Sequence, residues 1–380
     1  ASRQWTRAEF WPNTSSVTPM TRLLLPRLVP CLALTLMVGG SARAQEAAQR
    51  DPAEHTPPQV GERELTPEQV AEAEVTPNVD LPVPADEGRR AQRRRLDAER
   101  YDVTPRQLRR GRALAATSVA LLYGGLWTYN YFAWWHGTPT TPFQTEWDGF
   151  FGVDTYGGGA DKLGHLYMNL MLSRATTGML RYGRFDPIPA SIAGATLSWL
   201  SYLLVELRDG SHEFEFSWGD ILANSLGTAL GLVLTHAPEV DRFFSFRMMY
   251  WPSDEFLDSP SLNFNEDYSG QTFLLAFHMA GFGDRVGFFR YMDFVVGFNA
   301  DHYLPDPRRD DRPERQHLYF GFALNLQEVL NRGLFDRPRE QDNRAQEAAR
   351  GFFADWAAEH IQVPYTAVPL IQMQRTNPED

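Results

Sequence analysis

The sequence predicts an α+β protein: an apolar four-helix, membrane-associated bundle, then a small antiparallel β-meander, then a C-terminal amphipathic helix. Three observations predict it. Four apolar segments of helix length follow one another between Ala113 and Leu234, with polar residues recurring at helical spacing. After Pro238 the pattern changes to short aromatic and β-branched runs bounded by Gly, Asp and Pro, the signature of strands. Finally, Phe352, Phe353, Trp356 and Ala357 group at helical spacing within Asp342–Ile361.

A chain of 380 residues is long enough for one or two domains, and its core needs no disulfide or metal on grounds of size. Its one cysteine, Cys31, excludes both an intramolecular disulfide framework and a Cys-based zinc site. A formal charge of -12 argues against a nucleic-acid partner, because neutralising phosphates needs a clustered basic face with a matching fold signature. An aromatic content of 13% suits a membrane interface or an aromatic-rich core.

In chain order, residues 1–19 read as an upstream extension and 20–44 as a signal peptide. Arg22 and Arg27 form the charged start, Leu28–Val38 the apolar run, and Ala42-Arg43-Ala44 the cleavage site. Pro30 before Cys31 departs from a lipobox, so the reading is a signal-peptidase substrate without a lipid anchor, the other reading being an uncleaved anchor. Residues 45–104 read as an acidic, then Arg-rich, disordered tether. Between 45 and 88 there are eleven acidic residues and seven prolines but no Phe, Tyr or Trp, too little apolar surface to offset the entropy of ordering. Arg89–Arg112 then holds ten arginines, which fit either a solvated helix-leading charge run or contact with anionic lipid headgroups.

Residues 105–250 form the expected helical domain. Ala113–Trp135 has 23 residues without a charge and ends in Trp127, Tyr129, Tyr131, Trp134 and Trp135, like an interfacial belt. Lys162–Tyr182 is interrupted by Arg174 and Arg181, and Trp218–Leu234 contains Asp220 and Asn224. By hydropathy the first segment and Ile188–Leu207 read as spans, the other two as bundle helices that hide polar groups from lipid. A cleaved signal would put the arginines across the membrane, whereas a spanning first helix would keep them cytoplasmic. Either that helix lies flat or packs on its neighbours, or the amino-terminal segment is retained. In the strand-rich extension, 251–335, the runs are Gln271–Gly281, Tyr291–Asn299 and His317–Leu326, with Arg308–Arg315 a charged loop. Residues 336–380 complete the chain as the amphipathic helix and tail.

The polar residues of the bundle define the candidate site. Asp161 and His165 are four apart, with Asn169 and Ser173 on the same face. Asp220, Asn224, Gly227 and Gly231 lie at offsets 0, 4, 7 and 11, one face passing from polar to small, where glycines permit close helix packing. Glu206 ends the third helix, Asp209-Gly210 turns the chain, and Ser217 caps the fourth helix with Asp220 at its third position. Gly157-Gly158-Gly159 lacks the residues of a phosphate loop and reads as a flexible hinge. No G-x-S-x-G, H-E-x-x-H or Cys-His pairing is present.

D-K-L-G-H at Asp161–His165, E-L-R-D-G at Glu206–Gly210, F-S-W-G-D-I-L-A-N-S-L-G at Phe216–Gly227 and D-Y-S-G-Q-T at Asp267–Thr272 together resemble the YfiM-like family of predicted periplasmic proteins, a domain of unknown function. The likeness runs from about Tyr123 to Leu326. The D-K-x-x-H, E and D-x-x-x-N-x-x-G skeleton is also similar, more weakly, to VanZ-like membrane proteins. The first resemblance implies an envelope location on the periplasmic side and helices followed by a strand-rich extension; it implies no activity.

Two function classes fit these residues. In the first, a non-catalytic envelope protein binds a partner or lipid or plays a structural part, and Asp161, Lys162, His165, Glu206, Asp209, Asp220 and Asn224 form a buried polar network between helices. In the second, a membrane-associated hydrolase or transferase acts on lipid-linked or cell-wall substrates through Asp161, His165, Glu206 and Asp220. No cofactor is predicted for the first. A divalent metal held by His165, Glu206 and Asp220 is a variant of the second, since mixed N/O ligands suit zinc or manganese. The expected partners are membrane lipids, with anionic headgroups at Arg89–Arg112, and an envelope protein engaged by the sheet and terminal helix.

Overall fold

The structure is a computed structural model that describes residues 6–7, 104–258, 263–303, 313–334 and 351–376. Apart from Thr6–Arg7, the expected extension, signal peptide and tether up to 103 lie outside the described residues, as do most of the 308–315 loop and 342–350.

Four helices alternate in direction. Helix α1, Pro105–Asn130, starts where its sequence is built to start: Thr104 and Gln107 form a reciprocal capping box and Pro105 occupies the first turn. It continues as a wider π turn over Tyr131–Trp135. Helices α2 (Ala160–Tyr182), α3 (Pro187–Asp209) and α4 (Trp218–His236) follow. Gly183 at the end of α2 abuts Gly111 near the start of α1, and Ser191 at the start of α3 bonds His236 at the end of α4. At the opposite end Trp135 donates to Asp209, and the chain between α3 and α4 folds back past Glu206.

The approach of α4 to α2 is set by glycine. A Cβ on Gly227 would overlap the backbone carbonyl of Leu166, and Gly231 lies against Ser173. The three glycines before α2 are buried in left-handed conformations, and Gly158 lies under the ring of Tyr303, whose hydroxyl bonds Val153 O. They form a packed turn rather than the expected hinge, because a ring fills the space a side chain would occupy.

The sheet is larger than the three strands the sequence suggests. Six strands, β1 Phe244–Tyr250, β2 Gln271–His278, β3 Met292–Asp301, β4 Arg315–Leu324, β5 Ile361–Gln362 and β6 Ala367–Thr376, are ordered β6-β4-β3-β2-β1-β5, with Thr6–Arg7 paired to β6. Every pairing in this sheet is antiparallel except β1 with β5. The stretch from 351 to 360 is helical, as expected, but within the expected C-terminal tail 361–362 and 367–376 are strand.

Strands β5 and β6, at the two ends of the six-strand order, are consecutive in the chain. From Gln362 to Ala367 the chain reaches at most about 17 Å, whereas opposite edges of a flat six-stranded sheet lie about 24 Å apart. The sheet therefore curls, and Gln362 on one edge bonds the carbonyl of Leu324 at the end of β4.

Alternation along the strands gives the curled sheet two faces. Its inner face holds Leu274, Ala276, Val295, Tyr319 and Ala323 together with buried Arg247, His278 and Asp293. Its outer face is apolar. Phe246 and Phe273 of that face pack on Tyr167 of α2, within a core that includes Met171, Tyr202 and Phe298, while Leu275, Phe294, Val296 and Phe320 stay exposed. The sheet thus covers one side of α2, and Arg174 of α2 pairs with Asp241 at 2.8 Å and Glu359 at 2.6 Å, from the short helical turns that precede β1 and β5.

Among the described residues one helix, α3, is long and apolar enough to cross a membrane. The other expected span, Ala113–Trp135, does not reach that standard, because Thr117, Ser118, Gly124, Gly125 and Asn130 dilute its apolar run.

Candidate functional site

The bundle gathers its polar residues at one end, where α2 and α4 begin and α3 finishes. Asp161 lies in the first turn of α2 and Asp220 in the first turn of α4, where the positive end of the helix dipole favours a carboxylate. Glu206 arrives from the last turn of α3, where the dipole has the opposite sign.

Lys162 is the hub. Its side chain is 2% exposed, and its ammonium contacts Asp148 Oδ2, Asp161 Oδ2 at 2.8 Å and Asp220 Oδ1 at 2.8 Å. Glycine at position 219 allows this packing, since a Cβ there would press on Asp148 and on Lys162 Cε. Ser217 caps α4 through Asp220 N at 3.1 Å and donates to Asp148 Oδ1 at 2.8 Å, so the cap and the ion cluster share one hydroxyl.

His165 stands one turn along α2 from Asp161, its ring edge-on to Tyr202. The hydrogen bonds around it fix its tautomer. Asn169 Nδ2 donates to the carbonyl of His165 and to Asn224 Oδ1, at 3.1 and 2.6 Å. Asn224 therefore presents oxygen to His165 Nδ1, 3.0 Å away, and that nitrogen carries the proton. The other ring nitrogen, Nε2, faces Asp161 Oδ1 and Asp220 Oδ1, each at 3.7 Å. One oxygen from each aspartate and one nitrogen of His165 lie within 4.8 Å of one another, close enough to share a cation.

Not every residue singled out from the sequence joins this centre. Asp209 turns to Trp135 Nε1 at 2.6 Å. Gly227 and Gly231 hold helices together farther along α4. Glu206 lies against the Nδ1 side of His165, 3.6 Å away, and its nearest donor is Ser217 N–H at 3.4 Å.

Asp148, Gly219, Tyr268 and Glu266 come from outside the set. Tyr268 donates to Asp161 Oδ1 at 3.1 Å. It belongs to the D-Y-S-G-Q-T motif, so the sequence carried a signal for it; Asp148 sits in an irregular connection with no period to mark it. Glu266 lies in a short 3-10 turn near Asp161 and Asp209, and burial pushes its carboxyl up to about 7 against the hydrogen bonds of Trp134 and Asn263. Burial likewise raises Glu146, in the connection before Asp148.

Comparison with known proteins bears on this same region. A family model described as "Predicted periplasmic lipoprotein (DUF2279)" matches residues 147–236, from the residue before Asp148 to the end of α4. The matched segment holds Asp148, Lys162, His165, Glu206 and Asp220, and leaves out α1 and the sheet. It makes this part of the chain similar to a periplasmic family of unknown function. No curated protein and no solved structure matches the chain.

Proposed function

We propose that the chain is a non-catalytic, membrane-associated protein of the bacterial cell envelope, of the YfiM-like kind with a more distant VanZ-like kinship. Its polar centre locks α2, α3 and α4 in register while its apolar flanks face lipid. The observation that carries the reading is a long exposed apolar flank bounded by different chemistry at its two ends. Leu114 and Leu121 of α1, Ile188, Ile192, Leu200 and Leu204 of α3, and Leu222, Leu226 and Val233 of α4 are all exposed. A flank of this size is far beyond the scattered apolar residues of an ordinary soluble surface.

At one end of the flank α1 carries exposed Arg106, Arg109 and Arg110, suited to anionic headgroups. At the other end Phe132, Phe143, Trp147, Phe151 and Trp218 are exposed, like an interfacial belt. The 23 residues of α3 extend about 34 Å, against about 30 Å for a bilayer hydrocarbon core. Along α2 the curled sheet takes the place of lipid, and its exposed outer face continues the apolar surface. Lys162 and its carboxylates are then interior groups kept away from lipid, and polar groups that bond across helices hold them in a single register.

Fractionation of tagged protein tests the reading. Retention through high-salt and carbonate washing, with release only by detergent, is expected; release by salt would mean a peripheral contact and would overturn it. Replacing Leu200 and Leu204 by Asp sharpens the test, since each charge facing lipid costs roughly 2.5–3.5 kcal/mol. The double variant is expected to lose membrane retention, and unchanged retention would show that this flank faces something else.

A further inference from the structure

We infer that the polar centre binds one divalent cation, of the zinc or manganese class, between Asp161, His165 and Asp220. This rests on the reading of that centre as the lock between α2, α3 and α4, and it adds the ion that completes the lock.

The first support is the fixed histidine. Because Asn169 and Asn224 commit the proton to Nδ1, a neutral His165 directs the lone pair of Nε2 at two carboxylate oxygens 3.7 Å away. That distance is too long for a hydrogen bond, and a cation between the ring nitrogen and the two carboxylate oxygens would draw the three atoms together. Ligand bonds of about 2.0–2.2 Å place neighbouring ligand atoms roughly 3–3.5 Å apart, so the two 3.7 Å contacts need to contract by a few tenths of an ångström and the two carboxylate oxygens, within 4.8 Å of each other, make the rest of the closure. Asn224 accepting from Nδ1–H is also the outer-shell arrangement that orients a metal-binding imidazole, and Tyr268 holds Asp161 Oδ1 in the same way.

The second support is independent of that geometry and concerns charge. Asp148, Asp161 and Asp220 converge on a single ammonium, and Glu206 lies beside them against His165. Lys162 is hydrogen-bonded to Asp148 and Asp161 and ion-paired with Asp220 Oδ1 at 2.8 Å, so one ammonium serves three carboxylates. Glu206, 2% exposed, has only the 3.4 Å contact from Ser217 N–H. Buried carboxylates in this excess are neutralised by protons or by cations, and one dication would supply two positive charges at the point where they crowd. An imidazole and two carboxylates select zinc or manganese over calcium or magnesium, which prefer oxygen alone. The side chains of His165 and Asp161 are 17% and 12% exposed, which gives the ion a route in. Asp161 is the third ligand in place of the Glu206 suggested by sequence, because Glu206 lies on the Nδ1 side of the ring and that nitrogen is taken by Asn224.

The test uses full-length protein in detergent, stripped with chelator and titrated with zinc chloride or manganese chloride by calorimetry, followed by elemental analysis after desalting. One ion per chain is expected, with a melting temperature that rises with metal and falls with chelator. His165→Gln and Asp161→Asn are expected to weaken binding by a hundredfold or more. Far-UV circular dichroism shows whether each is folded, and the chelator response of the wild type stands as a second readout if neither is. Folded wild-type protein with no stoichiometric metal and no metal-dependent melting would overturn the inference while leaving the helix lock in place. Metal bound equally by both folded variants would overturn it as well. Failure of the lock itself shows differently, as metal-free variants that melt at the wild-type temperature.

Discussion

In the curled sheet, Arg247 and Asp293 are both fully buried and meet at 2.8 Å; in the helical bundle, Lys162 meets Asp148, Asp161 and Asp220 beside Glu206. The sheet cluster balances one cation against one carboxylate. Around that pair His278 and Asn325 bond Asp293 Oδ1 at 2.9 and 2.8 Å, and Ser245 and Gln362 accept from Arg247. The bundle cluster has more carboxylates than cations, and its aspartates and histidine keep some exposure. Burial alone thus does not distinguish a structural ionic cluster from one that can take a ligand; charge balance and residual access do.

The largest expected effect breaks the balanced cluster. Asp293→Ala leaves the Arg247 guanidinium buried without its counter-charge, which costs about 3–5 kcal/mol. A large fall in denaturation midpoint is expected. Replacing both partners, Arg247→Met with Asp293→Leu, is expected to recover most of the loss, since a buried pair contributes little beyond a well-packed apolar substitute. A double variant as unstable as the single one would show that the sheet needs the ion pair itself.

Lys162→Met makes the corresponding change in the bundle. It leaves Asp148, Asp161 and Asp220 crowded without their ammonium, at a cost of roughly 2–4 kcal/mol. The effect is expected to be smaller than in the sheet, because Asp161 and Asp220 keep the favourable dipoles of two helix starts and some contact with water. Thermal melts of the two single variants in one buffer make the comparison. A Lys162→Met loss equal to or above that of Asp293→Ala would mean that the bundle centre is as closed as the sheet.

The contrast also explains what could be read from sequence. The α+β class and the bundle were legible because helical spacing places Asp161 with His165 and Asp220 with Asn224 on single faces. The full sheet was not. In β1 (FSFRMMY) Arg247 reads as a polar break, and its burial makes sense only with Asp293, distant in sequence. In β6 Pro369 argues against a strand, yet it sits opposite Gly321 at a register shift, where the ladder is already interrupted. The site was partly hidden for a related reason. Asp148 and Tyr268 come from irregular connections, and periodicity carries no information about a loop.

Glu266 gives the smallest expected effect, and it tests whether excess acidity at the bundle end extends beyond the helices. Burial raises its carboxyl from the ordinary 4.5 to about 7, so the folded protein holds this proton more tightly than the unfolded chain. The stability it contributes is therefore fully present below about pH 4.5 and is lost as pH rises through about 7. The change is on the order of 3 kcal/mol at most across that window, since the value of about 7 already includes the hydrogen bonds from Trp134 and Asn263. Melting temperatures of the wild type between pH 4.5 and 8 are expected to fall more steeply than those of Glu266→Gln, whose amide stays neutral throughout. Parallel profiles would show that Glu266 is ionised in the folded protein and that a nearby cation, not a proton, neutralises it. In that case the excess of negative charge around Asp161 would reach into the loop before β2, and the balanced cluster of the sheet would be the exception in this molecule.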